Sequence, residues 1–122
     1  MIELQRLGSD FTVCKIDSLD VIDFTKEFVF VSKTDDEISL FCKSDNTPSN
    51  TIASESGWRG LKISGILDFG MIGVISKISN LLAANMISIF VISTYNTDYI
   101  FVKVENYEKC IQILICNGYV IK

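Results

Sequence analysis

The sequence predicts an α+β fold of antiparallel sheets with helices on one face, and three observations predict it. Val74, Ile75, Ile78, Leu81, Leu82 and Asn85 fall on helical spacing and form one apolar stripe. Residues 87–93 are β-branched and aromatic, the composition of a buried strand. A polar turn, residues 94–97, then leads into a second such run, residues 99–104. With a strand at 58–64 before them and a helix and strand after, the order is strand–helix–strand–strand–helix–strand, the ferredoxin-like arrangement.

The remaining elements follow in chain order. Ile2, Leu4 and Arg6 alternate imperfectly with Glu3, Gln5 and Leu7, giving a first strand. Gly8-Ser9-Asp10 reads as a tight turn and residues 11–16 as a second strand. Asp17 or Ser18 can cap a short helix running to Lys26, with Val21, Ile22 and Phe24 as its apolar face. Residues 28–32 are strongly β, Thr34-Asp35-Asp36-Glu37 is a turn, and residues 38–42 return antiparallel. Residues 43–57 are rich in Ser, Asn and Thr and hold the only proline, Pro48, so they read as a linker. Near the end, Asn106 can cap a helix whose face is Tyr107, Cys110, Ile111, Leu114 and Ile115. Gly118 closes it in the left-handed conformation, and residues 119–122 form a last strand.

The two halves resemble each other. Laid over one another at an offset of 61, Ser32 meets Ser93 and Glu37 meets Asp98, with apolar strands on both sides. Lys15-Ile16 matches Lys62-Ile63 at a smaller offset of 47, so the first half has the shorter helix. The expected organisation is a degenerate module over residues 1–50 and a complete one over residues 57–122. Open sheets leave edges, and edges pair with other chains, so a homodimer is expected.

Composition narrows the function. The chain has 122 residues, 48% of them hydrophobic and 21% charged, with a net charge of −4. That is a globular core without the basic face that nucleic acid requires. Apolar runs are interrupted well short of a membrane span, and the first residues lack the order of a signal peptide, so a cytoplasmic location is expected. There is no histidine. Cys14, Cys42, Cys110 and Cys116 make no CxxC pair and read as reduced, mostly buried thiols, so neither a metal site nor a Cys–His nucleophile is expected. Asp68-Phe69-Gly70 spells a kinase signature, but without the accompanying glycine-rich and catalytic loops it carries no such meaning.

The turn Leu67-Asp68-Phe69-Gly70-Met71-Ile72-Gly73 precedes a helix, whose first amides lack intrahelical partners and can hold a carboxylate. Asp68 and Asp98 are carboxylates for an ammonium, and Ser93 and Thr94 bring hydroxyls to the same hairpin. Plainer readings stand beside these. Asp68 can serve as the helix N-cap, the glycines can serve the turn alone, and Asp98 can bond its own hairpin backbone. Phe69 and Met71 read more naturally as packing residues.

Three stretches carry a family resemblance: Gly-x-x-Asp-Phe-x-x-x-Gly-Val from Gly65, Leu-Ala-x-x-x-Ile-Ser-Ile-Phe from Leu82, and Ser-Thr-Tyr-x-Thr-Asp-Tyr-Ile from Ser93. Residues 58–105 resemble an ACT domain, in particular the small stand-alone ACT proteins related to the cytosolic arginine sensor and to the aspartate kinase regulatory region. The resemblance implies a non-enzymatic regulatory protein without a cofactor. It would sense an amino acid or similar small molecule at an ACT–ACT interface and pass the signal to a partner protein. It assigns Leu67, Asp68, Phe69, Gly70, Met71, Ile72, Gly73, Ser93, Thr94, Thr97 and Asp98 to the ligand site. The alternative is a ligand-free module that dimerises or docks on an enzyme.

Overall fold

Extended backbone paired on both edges overrides weak turn formers, and the first strand shows it. In the computed structural model, which describes residues 2–64 and 73–122, strand β1 runs unbroken over Glu3–Ile16. The turn expected at Gly8-Ser9-Asp10 is absent. β7 (Val120–Ile121) pairs with the first residues of β1 and β3 (Ile38–Lys43) with the last, while β4 (Ala53–Ile63) is a further neighbour. These ladder hydrogen bonds outweigh the turn propensity of three residues. The order continues with β2 (Phe30–Lys33) before β3, and α1 (Val74–Ala84), β5 (Phe90–Ser93), β6 (Asp98–Lys103) and α2 (Tyr107–Cys116) after β4. Gly65 and the turn residues Leu67, Asp68, Phe69, Gly70, Met71 and Ile72 lie outside the described residues.

The chain divides into two units: Ser9–Trp58, and Met1–Gly8 together with Arg59–Lys122. The larger unit has the strand order β7-β1-β4-β6-β5 and both α-helices of the described residues. From β4 onward it is a ferredoxin-like βαββαβ unit. Its core joins Leu61 and Ile63 of β4 and Ile100 and Val102 of β6 to Ile78 and Leu82 of α1 and Cys110, Ile111 and Leu114 of α2. These are the apolar stripes read from the sequence, with one exception: Ile115 is 46% exposed, because it falls outside the arc of α2 that meets the sheet. Asn106 occupies the position before α2 but makes no side-chain cap, since residues Val104–Asn106 already form a 3₁₀ turn there.

Both helices end in Schellman motifs. Gly118, at φ 90°, passes the Tyr119 N–H to the Leu114 carbonyl and donates its own N–H to the Ile115 carbonyl. At the end of α1 the same pair of bonds runs from Ile87 to Leu82 and from Met86 to Ala83, with Met86 itself in the left-handed conformation at φ 63°.

The smaller unit has the strand order β2-β3-β1-β4 and no α-helix among its described residues. The helix expected to run to Lys26 is only a 3₁₀ turn, Leu19–Val21, capped by Ser18. Asp23 ends it by accepting the backbone N–H and the hydroxyl of Thr25, a local turn that competes with helix. The expected linker is also shorter than the sequence suggested. Ser44–Asn46 is a 3₁₀ turn and β4 already begins at Ala53. One face of this sheet buries Cys14, Ile16, Leu40 and Cys42 beneath Val21, Ile22 and Val29. Phe11 stacks on Phe41 at 5.5 Å and meets Phe28 edge-on.

The hairpins of the two units match residue for residue, but at an offset of 60, not 61. Phe30 faces Phe41 as Phe90 faces Phe101, and Val31 faces Leu40 as Val91 faces Ile100. The offset is 90 − 30 = 101 − 41 = 60, and it carries Thr34 onto Thr94, Lys43 onto Lys103 and Asn46 onto Asn106. The Ser32–Ser93 match lies one residue off this register, and a one-residue slip exchanges the two faces of a strand. Glu37 therefore corresponds to Thr97, and Ile38 to Asp98.

Candidate functional site

The β5–β6 turn is built on Thr94 and Thr97. The Thr94 N–H donates to the Thr97 carbonyl at 2.8 Å and its hydroxyl donates to the same oxygen at 3.1 Å. The Thr97 N–H returns to the Thr94 hydroxyl at 3.4 Å. A threonine suits both places, because a short hydroxyl side chain satisfies turn backbone locally. Thr97 is buried, only 4% exposed, and its own hydroxyl donates to the Ile63 carbonyl at 2.7 Å. That bond sets the turn against the last residue of β4.

Ser93 and Asp98 form the pair that closes the ladder, with Ser93 exposed and Asp98 half-buried. Alternation along β6 puts Asp98 on the face of Ile100 and Val102, the face that carries the helices. The topology also fixes which end of α1 is near. Only residues 85–89 join α1 to β5, so the last turn of α1 belongs to the end where β5 begins. Its first turn, with Gly73 at φ 82° in the N-cap position and no side-chain cap, points toward the end where β5 finishes and Thr94 turns. Gly73, Ser93, Thr94 and Asp98 thus share one end of the larger unit. Thr97 belongs to the same end but spends its hydroxyl inside the protein. The family resemblance assigns Thr97 to the ligand site; the partner of its hydroxyl, 34 residues away, gives no local signal.

Among the described residues, open clefts lie elsewhere too. One, of about 590 Å³, is lined by Ser79, Asn80, Ala83, Met86, Ile87 and Ser88 at the far end of α1. The other, of about 310 Å³ in the smaller unit, includes Lys15, Glu37, Ser39 and Glu55. Neither was foreseen from the sequence. Among the described residues no group of three or more histidine, cysteine or carboxylate side chains is placed to hold a metal ion. Nor is any described helix long and apolar enough to cross a membrane.

Burial pushes the thiols of Cys14, Cys42 and Cys110 up, Cys110 to about 11, which keeps them protonated and poor nucleophiles.

Comparison with known proteins bears on the family and the fold. The profile of the ACT domain matches residues 53–115. The structure is similar to that of a protein from Agrobacterium tumefaciens, with a TM-score of 0.87 and 27% identity over 99% of this chain and 92% of that one. It is similar in fold to a Vibrio cholerae protein of unknown function described as a possible transport protein, with a TM-score of 0.72 and 19% identity over 93% and 87%. It is also similar in fold to the ligand-free regulatory subunit of aspartate kinase from Thermus thermophilus, with a TM-score of 0.62 and 9% identity over 92% and 94%. No curated protein matches the chain.

Proposed function

Since this chain belongs to the ACT domain family of regulatory modules, we propose that it is a non-enzymatic regulatory protein that binds an amino acid or a similar small zwitterion. The reading places the ligand at the end of the larger unit where Gly73, Ser93, Thr94 and Asp98 lie. Asp98 would take the ammonium, and amides at the start of α1 the carboxylate. Leu67, Asp68, Phe69, Gly70, Met71 and Ile72 would contribute from the segment between β4 and α1. Thr97 would contribute by holding the turn. A second copy of the chain would complete the site, and ligand bridging the two would shift their packing and so the affinity for a regulated partner. The two units are read as copies of one module, of which the smaller has lost its helices.

The observation that carries this reading is the position of Asp98. It is half-buried on the helix-bearing face, at the end of the unit toward which α1 opens. A panel of the proteinogenic amino acids in a thermal-shift assay tests it. One or a few should raise the melting temperature of the wild type, and Asp98→Asn should reduce that shift. No stabilisation by any of them sinks the sensing reading.

One observation favours the second reading, a ligand-free assembly module. The hydroxyls of both Thr94 and Thr97 are already engaged within the protein, so the turn needs no ligand to be satisfied. That reading predicts a blank panel with self-association intact in sedimentation analysis.

A further inference from the structure

We infer that Thr97 is a positioning residue whose buried hydroxyl fixes the β5–β6 turn, and Asp98 with it, to the end of β4, and that the smaller unit lacks this lock. The proposal deepens the ligand site of the preceding reading and rests on it for Asp98's role.

A line of hydrogen bonds crosses the end of the larger unit. The Ser64 N–H donates to the Glu3 carbonyl at 2.8 Å, the Thr97 hydroxyl donates to the Ile63 carbonyl at 2.7 Å, and the Thr94 N–H donates to the Thr97 carbonyl at 2.8 Å. β1, β4 and the β5–β6 turn are thereby tied in sequence. The link from Thr97 to Ile63 rests on a side chain alone, and Thr97 is buried, so water is a poor substitute for that bond. Asp98 is the next residue, and its backbone position is set once Thr97 is held.

The smaller unit provides an internal control. Its turn has the same scaffold: the Thr34 N–H donates to the Glu37 carbonyl at 2.9 Å, and the Glu37 N–H donates to the Thr34 hydroxyl at 3.3 Å. At the position of Thr97, however, stands Glu37, which is exposed and accepts the Ser39 hydroxyl at 2.6 Å. A carboxylate cannot donate to the strand-end carbonyl, Ile16 here, that corresponds to Ile63. The residue after it is Ile38, not an acid. The turn scaffold is therefore common to both units, while the lock and the acidic side chain it positions occur together in one.

The test compares Thr97→Val, which keeps shape and removes the hydroxyl, with Thr97→Ser, which keeps the hydroxyl, and with Thr34→Val in the other hairpin. Hydrogen exchange in the absence of any ligand is the first readout. Thr97→Val should speed exchange of the Thr94 and Ser64 amides about tenfold relative to amides of α2, and Thr97→Ser should restore it. Thr34→Val should leave those two amides unchanged. Equal exchange in wild type and Thr97→Val overturns the proposal. The second readout is the amino-acid panel. If an amino acid stabilises the wild type, Thr97→Val should lose at least about tenfold in its affinity and Thr97→Ser should not. Unaltered affinity in Thr97→Val also overturns the positioning role. A panel blank on the wild type defeats the ligand reading and the role of Asp98 with it. The exchange result still decides whether the hydroxyl holds the turn.

Discussion

Gly60 lies directly beneath the ring of Phe101. A β-carbon at Gly60 would sit 2.5 Å from Cε1 and 2.7 Å from Cδ1 of Phe101, and 3.1 Å from Cδ1 of Leu7. Phe101 is fully buried and cannot swing into solvent. The same glycine's carbonyl accepts the Tyr107 hydroxyl at 2.8 Å, so the backbone of β4 is held from a second direction. Gly60→Ala should therefore destabilise the protein by about 1–3 kcal/mol through overpacking. Gly8→Ala, where a β-carbon meets nothing within 4 Å, should change stability little. Urea denaturation of the two variants checks this, and a Gly60→Ala midpoint equal to that of wild type would show that the ring has room to move.

The end of α1 offers the opposite case. Met86 holds the left-handed position of a Schellman motif at φ 63° and is 90% exposed, so its side chain has little packing to offset the backbone strain. The equivalent residue after α2 is Gly118. Glycine adopts this conformation without the β-carbon clash. Met86→Gly should stabilise the protein by roughly 0.5–1 kcal/mol, and Gly118→Ala should destabilise it by a similar amount. Thermal unfolding reads both. A lower melting temperature for Met86→Gly would mean that the methionine has a contact in solution worth more than the strain.

What the sequence made legible was whatever rests on neighbours a few residues apart. The stripe of Ile78 and Leu82, the polar turn after Ser93 and the glycine at position 118 were readable because helix spacing, turn hydroxyls and positive φ are local properties. The long β1 was not readable. Gly8, Ser9 and Asp10 are extended because distant strands pair with β1, which no local pattern encodes. The equivalence of the two hairpins is legible in the sequence only to within one residue, because two serines match more obviously than the Phe30–Phe90 and Thr34–Thr94 equivalences that the ladders give. At the candidate site, the sequence could name Thr97 and Asp98 but could not tell a hydroxyl spent on Ile63 from a carboxylate half open to solvent.

Burial separates the four cysteines into two reactivity classes. Cys116 is exposed, while Cys14, Cys42 and Cys110 are buried with their thiols pushed up by desolvation. An aromatic disulfide reagent at neutral pH should therefore label Cys116 alone in the native protein, and the other three only on unfolding. Cys116→Ser should abolish the fast phase. A second fast thiol in that variant would reveal local opening of one of the two units.

Cys110 makes the stability of the larger unit sensitive to alkali. It sits with Ile78, Leu82, Ile111 and Leu114 in the core, and burial raises its thiol from 9.0 to about 11. The unfolded chain gives up this proton near pH 9, while the folded chain keeps it to about pH 11. Across that window the unfolded state binds fewer protons, so stability falls as pH rises. This stability is fully present below about pH 9, and about 2–3 kcal/mol of it has been lost once both forms have ionised. Tyr107, also raised chiefly by burial despite the opposing charges of Arg6 and Arg59, acts in the same direction at higher pH. Chemical denaturation of wild type and Cys110→Ala between about pH 8 and about pH 11 separates the two. The variant should be less stable at pH 8, where it has lost only packing, and should show the shallower decline, because the largest of the burial-raised thiols is gone while Tyr107, Cys14 and Cys42 remain. Parallel curves would mean that the core around Cys110 opens to water before its thiol ionises.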